Sequence, residues 1–280
     1  MRRAWSPSPA ASRRAVAGVA AWLGLGLGLA SCGGSNTSSN VAAPGRSEQA
    51  GTRVLETGAA MLQDKAPIEA LNAYLDGFHF YNGQMAAQME AHHYCAVLNE
   101  EFIQCVIYDG NAKQAKLMGV EYIVSERLFQ DLPAAEKVFW HSHVHEVKSG
   151  QLIAPGVPQL AEKALMQKLI HTYGKTWHTW HTDLQKDLPL GVPQLMMGFT
   201  ADGQVNPALV AARDKRFGID SAERRKDRAA MAAPPVAAGA DSWQAGRGAA
   251  VQIADPTGAG SLPHAGAASA GAARGAGNQK

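Results

Sequence analysis

Between His92 and Val124, runs rich in β-branched and aromatic residues follow one another with little chain between them. HHYCAVLNEEFIQCVIYDG (92–110) breaks only at a polar Asn99-Glu100-Glu101 turn, and KLMGVEYIV (116–124) follows within a few residues. A parallel pair needs a crossover of about a dozen residues or more. Runs this close are therefore expected to pair antiparallel, which removes regular βαβ alternation from consideration.

Helical patterns stand around these runs. Pro67 opens one in which Ile68, Leu71, Leu75 and Phe78 recur at three- and four-residue spacing, with Gly77 and Asn82-Gly83 weakening and ending it. SERLFQDL and PAAEKVFW read as short helical turns divided at Pro133, and WHSHVHEVKSGQLIAP as a strand continuing into a hairpin through Ser149-Gly150. QLAEKALMQKLIHTYG is an amphipathic helix with Gly174 as its stop. KTWHTWHTD and PQLMMGFTADG are strand-like, and a last helix runs from Asn206-Pro207 to Gly218. The pattern predicts a single α+β domain, a mainly antiparallel sheet with several packed helices, over residues 58–228.

The flanks differ in character. Arg2, Arg3, Arg13 and Arg14 precede an uncharged run from Ala15 to Ala30, sixteen residues long. That is short of the roughly 20 needed to span a bilayer and has the layout of a secretory signal. Leu29-Ala30-Ser31-Cys32 resembles the lipobox of bacterial lipoproteins, so residues 1–32 are expected to be a signal peptide ending at a lipidated Cys32. The implied location is the bacterial cell envelope, with the protein exported and anchored to a membrane through acylated Cys32. Residues 33–57 have the composition of a flexible tether, and the Ala/Gly-rich stretch 229–280 that of a disordered tail with Trp243 as its one anchor. The Arg224–Arg228 cluster before it reads as a solvated helix end.

From Gly58 to Thr200, ten Lys and Arg stand against fifteen Asp and Glu, so this segment is acidic and argues against a nucleic-acid partner. Neither a glycine-rich phosphate loop nor a Gly-x-Ser-x-Gly stretch occurs in it.

Nine of the ten histidines fall between residues 79 and 181, which makes imidazole the chemistry to explain. His141 and His143 flank Ser142 at a spacing suited to two ligands from one strand. With His92, His93, His178 and Glu90 they form the candidate set for a divalent metal. His92 and His93, being adjacent, point to opposite faces of a strand, so at most one of them joins a given site. The competing reading is a polar sheet face whose ring nitrogens find backbone partners. Cys95 faces Cys105 if the hairpin turns on Asn99-Glu100-Glu101, and a different loop length breaks that register. The pair is therefore a cross-strand disulfide or two buried thiols.

YLDGFHFYNGQMAAQMEAHHYCAVLNEEFIQCVIYD, VEYIVSERLF, WHSHVHEVKSGQLIAPGVP, YGKTWHTWHTD and LPLGVPQLMMGFTADGQV together resemble the oil body-associated protein family, a domain of unknown function in plants, fungi and bacteria. The resemblance runs from about Tyr74 to about Asp220. It implies association with lipid-droplet surfaces and carries over no catalytic residues. In the family pattern the position of His145 is usually aromatic and that of His181 is not histidine, which takes both out of a family-wide site. Cytosolic relatives share the Cys95 and Cys105 positions, which counts against an obligatory disulfide.

The functional expectation is a membrane-tethered, non-catalytic accessory protein that binds lipid or an envelope partner. The alternative is a histidine-based metal-binding protein or metal-dependent enzyme centred on His141 and His143. A third reading is a carrier with a hydrophobic pocket lined by Trp140, Trp177 and Trp180.

Overall fold

The computed structural model describes residues 36–184, 187–249 and 251. The expected signal segment with Cys32, and the tail beyond residue 251, lie outside the described residues. The chain begins with α1 (Ala50–Leu62) and the one-turn α2 (Ala66–Glu69), then runs through β1 (Ala73–Tyr81), β2 (Gln84–Asn99), β3 (Phe102–Tyr108) and β4 (Leu117–Ser125). An excursion follows through α3 (Glu126–Gln130), α4 (Ala134–Lys137), β5 (His141–Ser142), α5 (Val144–Ser149) and α6 (Gln159–Leu169). It returns as β6 (Thr172–His178) and β7 (Gln194–Met197), and α7 (Pro207–Phe217) and α8 (Ser221–Arg228) complete the order.

Six strands close into an antiparallel barrel in the order β1-β2-β3-β4-β6-β7. β6 pairs along its whole length with β4, from Gly119–His178 to Ser125–Thr172, and β7 returns to β1 at Phe80–Met197 and Tyr81–Met196. The α+β expectation of a helix-packed sheet is thereby overturned: the sheet is a closed barrel, with short helices at its ends and on its outside. Closure satisfies strand edges that would otherwise be exposed. It depends on a β4–β6 pairing across the 126–171 excursion, which no local pattern records.

Two local readings change with it. The helix expected from Pro67 to Phe78 stops at Glu69, because Ala73–Tyr81 pairs along its length with β2. Both faces of β1 are buried, so its apolar residues lack the alternation that marks a half-buried strand. The strand expected from Trp140 onward ends at Ser142. Residues from Val144 wind into α5, where Ser142 Oγ accepts from the Val144 N–H at 3.2 Å. Gly150 closes that helix in the left-handed region at φ 80°. Gly174, expected to stop α6, instead lies within β6.

The β2–β3 hairpin turns on Glu100-Glu101, with Asn99 opposite Phe102 and a bulge between Val97 and Asn99. The bulge restores the register in which Cys95 faces Cys105, and the two are joined as a disulfide.

α5 and α6 plug one end of the barrel, where Val147, Met166, Leu169 and Ile170 pack on Leu75, Cys105 and Ile123. Outside, Leu209 and Val210 of α7 and Trp243 cover Phe78, Phe80, Leu195, Met197 and Phe199. The described chain stays packed past residue 228: Met231, Asp241 and Ser242 are buried, and Asp241 Oδ1 accepts from the Ser142 N–H at 3.1 Å. The Arg224–Arg228 cluster is not simply solvated. Arg228 is buried, donating to the carbonyls of Val147 and Leu152 at 3.0 and 2.7 Å, and Arg224 pairs with Glu162 at 2.7 Å.

A histidine and carboxylate cluster inside the barrel

Side chains alternate across a strand, and on β1, β2, β4 and β6 this alternation carries His79, His93, Glu121 and His178 inward. β5 adds His141, and the residue that caps α5 adds His143. Glu146, one turn into α5, comes up from the plugged end. All seven are buried, none more than 4 % exposed. Glu121 is the hub. Its Oε2 lies 3.1 Å from His93 Nε2, and its Oε1 lies 3.3 Å from both His141 Nε2 and His143 Nε2. Glu146 Oε2 is 3.9 Å from His143 Nε2.

Two outer contacts fix which ring nitrogens face the carboxylate with a lone pair. The Thr172 hydroxyl donates to the Leu169 carbonyl at 2.6 Å, so its oxygen accepts from His143 Nδ1 at 2.8 Å. His93 Nδ1 lies 3.1 Å from the Ala91 carbonyl, which can only accept. In neutral His93 and His143 the proton is therefore on Nδ1, and Nε2 points its lone pair toward Glu121. Neither nitrogen of His141 or His178 has a hydrogen-bond partner, nor have His79 Nδ1 and His93 Nε2.

Burial and these neighbours set the charges. Burial pushes Glu121 up, yet the imidazoles of His141, His143 and His93 set against it hold it well below the ordinary carboxylate value. Burial, then the nearby Glu121 and Asp241, drive Glu146 well above its ordinary value. Burial also lowers His141 against the pull of Glu121, and takes His178 down to about 3.

Two glycines make the space. A Cβ at Gly174 would lie 2.0 Å from Glu121 Oε1 and 2.8 Å from His141 Nε2, and one at Gly198 would lie 2.9 Å from Glu146 Oε1. Beside the cluster is a cavity of about 10 Å³ bordered by His79, His93, Glu121, His143 and Glu146. That is room for a single water or ion, not for an organic substrate.

The sequence-derived set divides. His93, His141 and His143 meet at Glu121, and His178 lies on the same inner wall, its ring centroid 5.7 Å from that of His79. His92 and Glu90 are on the outer face of the barrel, with Asp76. His92 Nδ1 is 3.0 Å from Asp76 Oδ2, Arg213 pairs with Asp76 at 3.0 Å, and Arg216 pairs with Glu90. Two guanidiniums already neutralise those carboxylates, so that group is an ion-pair network. His145 turns away, its Nε2 4.0 Å from Asp202. Sequence reasoning missed His79, Glu121 and Glu146. The signal for Glu121 was an acid at an inward position of the otherwise apolar run LMGVEYIV.

Outside the barrel, α1 has no buried residue, and Val54, Leu55, Met61 and Leu62 are 71, 75, 79 and 86 % exposed. Next to it in sequence, Ile68 and Leu71 border a groove of about 450 Å³ completed by Tyr94, Val106, Tyr108 and Leu117. Trp140 and Trp177 pack in separate clusters, and none of Trp140, Trp177 and Trp180 borders that groove. No helix among the described residues is long and apolar enough to cross a membrane.

Residues 65–232 match the family model described as protein of unknown function (DUF1264). Oil body-associated protein 1B of Arabidopsis thaliana is 46 % identical over 200 residues, covering 71 % of this chain and 83 % of that protein. Oil body-associated protein 1A of Zea mays is 47 % identical over 195 residues, covering 70 % and 82 %. Oil body-associated protein 2A of Zea mays is 43 % identical over 195 residues, covering 69 % and 77 %. No solved structure matches the chain. These matches overturn the expected placement as a membrane-anchored lipoprotein of the bacterial cell envelope: the relatives are plant oil body-associated proteins, not envelope lipoproteins.

Proposed function

The chain belongs to the DUF1264 family and to the oil body-associated proteins, and from that membership we propose that it is a non-catalytic protein of lipid-body surfaces. The observation that carries this reading is α1. Val54, Leu55, Gly58, Met61 and Leu62 fall at i, i+1, i+4, i+7 and i+8, which puts them on one side of the helix. A helix of thirteen residues is marginal in water by itself. This one leaves its apolar side uncovered at the start of the domain. Half-burying four such side chains in a lipid surface contributes on the order of 4 kcal/mol. The sequence reading found no such helix face because it placed residues up to 57 in a tether.

Flotation of the full chain with phospholipid-coated triacylglycerol droplets tests this. Leu55→Asp/Leu62→Asp is expected to reduce the floating fraction at least about tenfold, since it removes half of the apolar anchor and adds two charges. Far-UV circular dichroism and the thermal midpoint of the barrel should be unchanged. Equal flotation of the variant and the parent chain would sink the proposal.

A further inference from the structure

We propose that the interior of the barrel binds one divalent transition-metal ion, held by Glu121, His141 and His143 with His93, His79 and Glu146 around them. The inference is independent of the lipid-surface reading and rests on different residues.

Ligand atoms around an ion at about 2.0–2.2 Å stand about 3.0–3.5 Å from one another, depending on the polyhedron. The contacts of Glu121 with His93, His141 and His143, 3.1, 3.3 and 3.3 Å, fall in that range. Single ligand atoms of His79, Glu121 and His141 all lie within 4.8 Å of one another, and so do those of His141, His143 and Glu146. The two groups share His141 and so adjoin at that ring. Several of these contacts are near without being hydrogen bonds: both nitrogens of His141 and Nε2 of His93 are buried and unpartnered. A buried polar atom left so is destabilising, and a cation would satisfy several at once.

Orientation and charge agree with this. His143 and His93 give their Nδ1 protons to Thr172 Oγ1 and the Ala91 carbonyl, the outer contacts that turn Nε2 into a ligand. Among the described residues, the ion pairs of Glu121 and Glu146 are with histidines only. The outer cluster is the contrast, where Arg213 and Arg216 supply the positive charge. An imidazole-rich set with carboxylates selects the zinc, iron, copper and manganese class over calcium or magnesium. Because the site has space for little more than an ion, the metal would tie β2, β4, β5 and the start of α5 together across the barrel, as a staple and not a reaction centre.

The test uses the full chain purified without a histidine tag, with bound metal measured by mass spectrometry before and after chelator treatment and reloading with zinc, iron, copper or manganese. About one ion per chain is expected, and the thermal midpoint should rise on reloading. Glu121→Gln keeps the side-chain volume and should weaken zinc binding at least about tenfold. His92→Ala, on the outer face, should bind as the parent chain does. Failure of the parent chain to take up any of the four metals overturns the proposal without reference to a variant. Undiminished binding by a folded Glu121→Gln chain overturns it as well.

Discussion

Gly174→Ala is expected to cost the barrel at least about 3 kcal/mol, the upper end of ordinary overpacking. The new methyl carbon would stand 2.0 Å from Glu121 Oε1 and 2.8 Å from two atoms of the His141 ring, closer than real Cβ contacts allow. Neither side can yield cheaply. The Gly174 backbone is held between Ile123 of β4 and His141 of β5, and the Glu121 carboxylate sits among three imidazoles. A close-packed interior has no void to absorb the shift. Gly58→Ala is the natural control, because nothing lies within 4 Å of a Cβ there and the helix should gain about 1 kcal/mol at most. Urea denaturation of both chains measures the difference. A Gly174→Ala chain within about 0.5 kcal/mol of its parent would show that the carboxylate is not confined as described.

How much of this was legible beforehand depends on how local each signal was. Asn206, Pro207 and Gly218 bound α7 as their chemistry predicts, with Asn206 Oδ1 accepting from the Ala208 N–H and Gly218 in the left-handed region at φ 63°. The runs that became β2, β3 and β4 were equally readable, because alternation and turn residues act over a few positions. Barrel closure was not, since it depends on Tyr81 finding Met196 and Gly119 finding His178. HSHVHE misled for a related reason. Its alternation is real, but the segment leaves the strand after Ser142, so His141 and His143 converge on Glu121 from different elements and His145 faces elsewhere. The split between His92 and His93 did follow from adjacency alone. Which of the two would face inward required the closed barrel.

Arg213→Met should prove about as damaging as the glycine change, by a different route. All five N–H groups of this fully buried guanidinium find acceptors: Nε on Asp214 Oδ1, Nη1 on Asp76 Oδ1 and the Gln151 carbonyl, and Nη2 on Ser221 Oγ and the Gly150 carbonyl. The plane also lies over Phe78, 4.8 Å from the ring centroid. Methionine replaces the volume and the Phe78 contact but strands the Asp76 carboxylate, itself wholly buried, with His92 as its remaining ionic partner. Breaking one side of a buried pair costs about 3–5 kcal/mol, whereas replacing both sides costs far less. Asp76→Asn in the Arg213→Met background should therefore recover part of the loss, and Arg213→Lys should not restore it, since three donors cannot meet five acceptors. Urea denaturation of the four chains reads this directly, and a loss below about 1 kcal/mol for Arg213→Met would refute it. The consequence reaches the inner site because Asp76 and His79 belong to the same strand. An outer lock that fails at Asp76 loosens the wall that carries His79, so Arg213→Met should also bind metal more weakly although Arg213 lies outside the barrel.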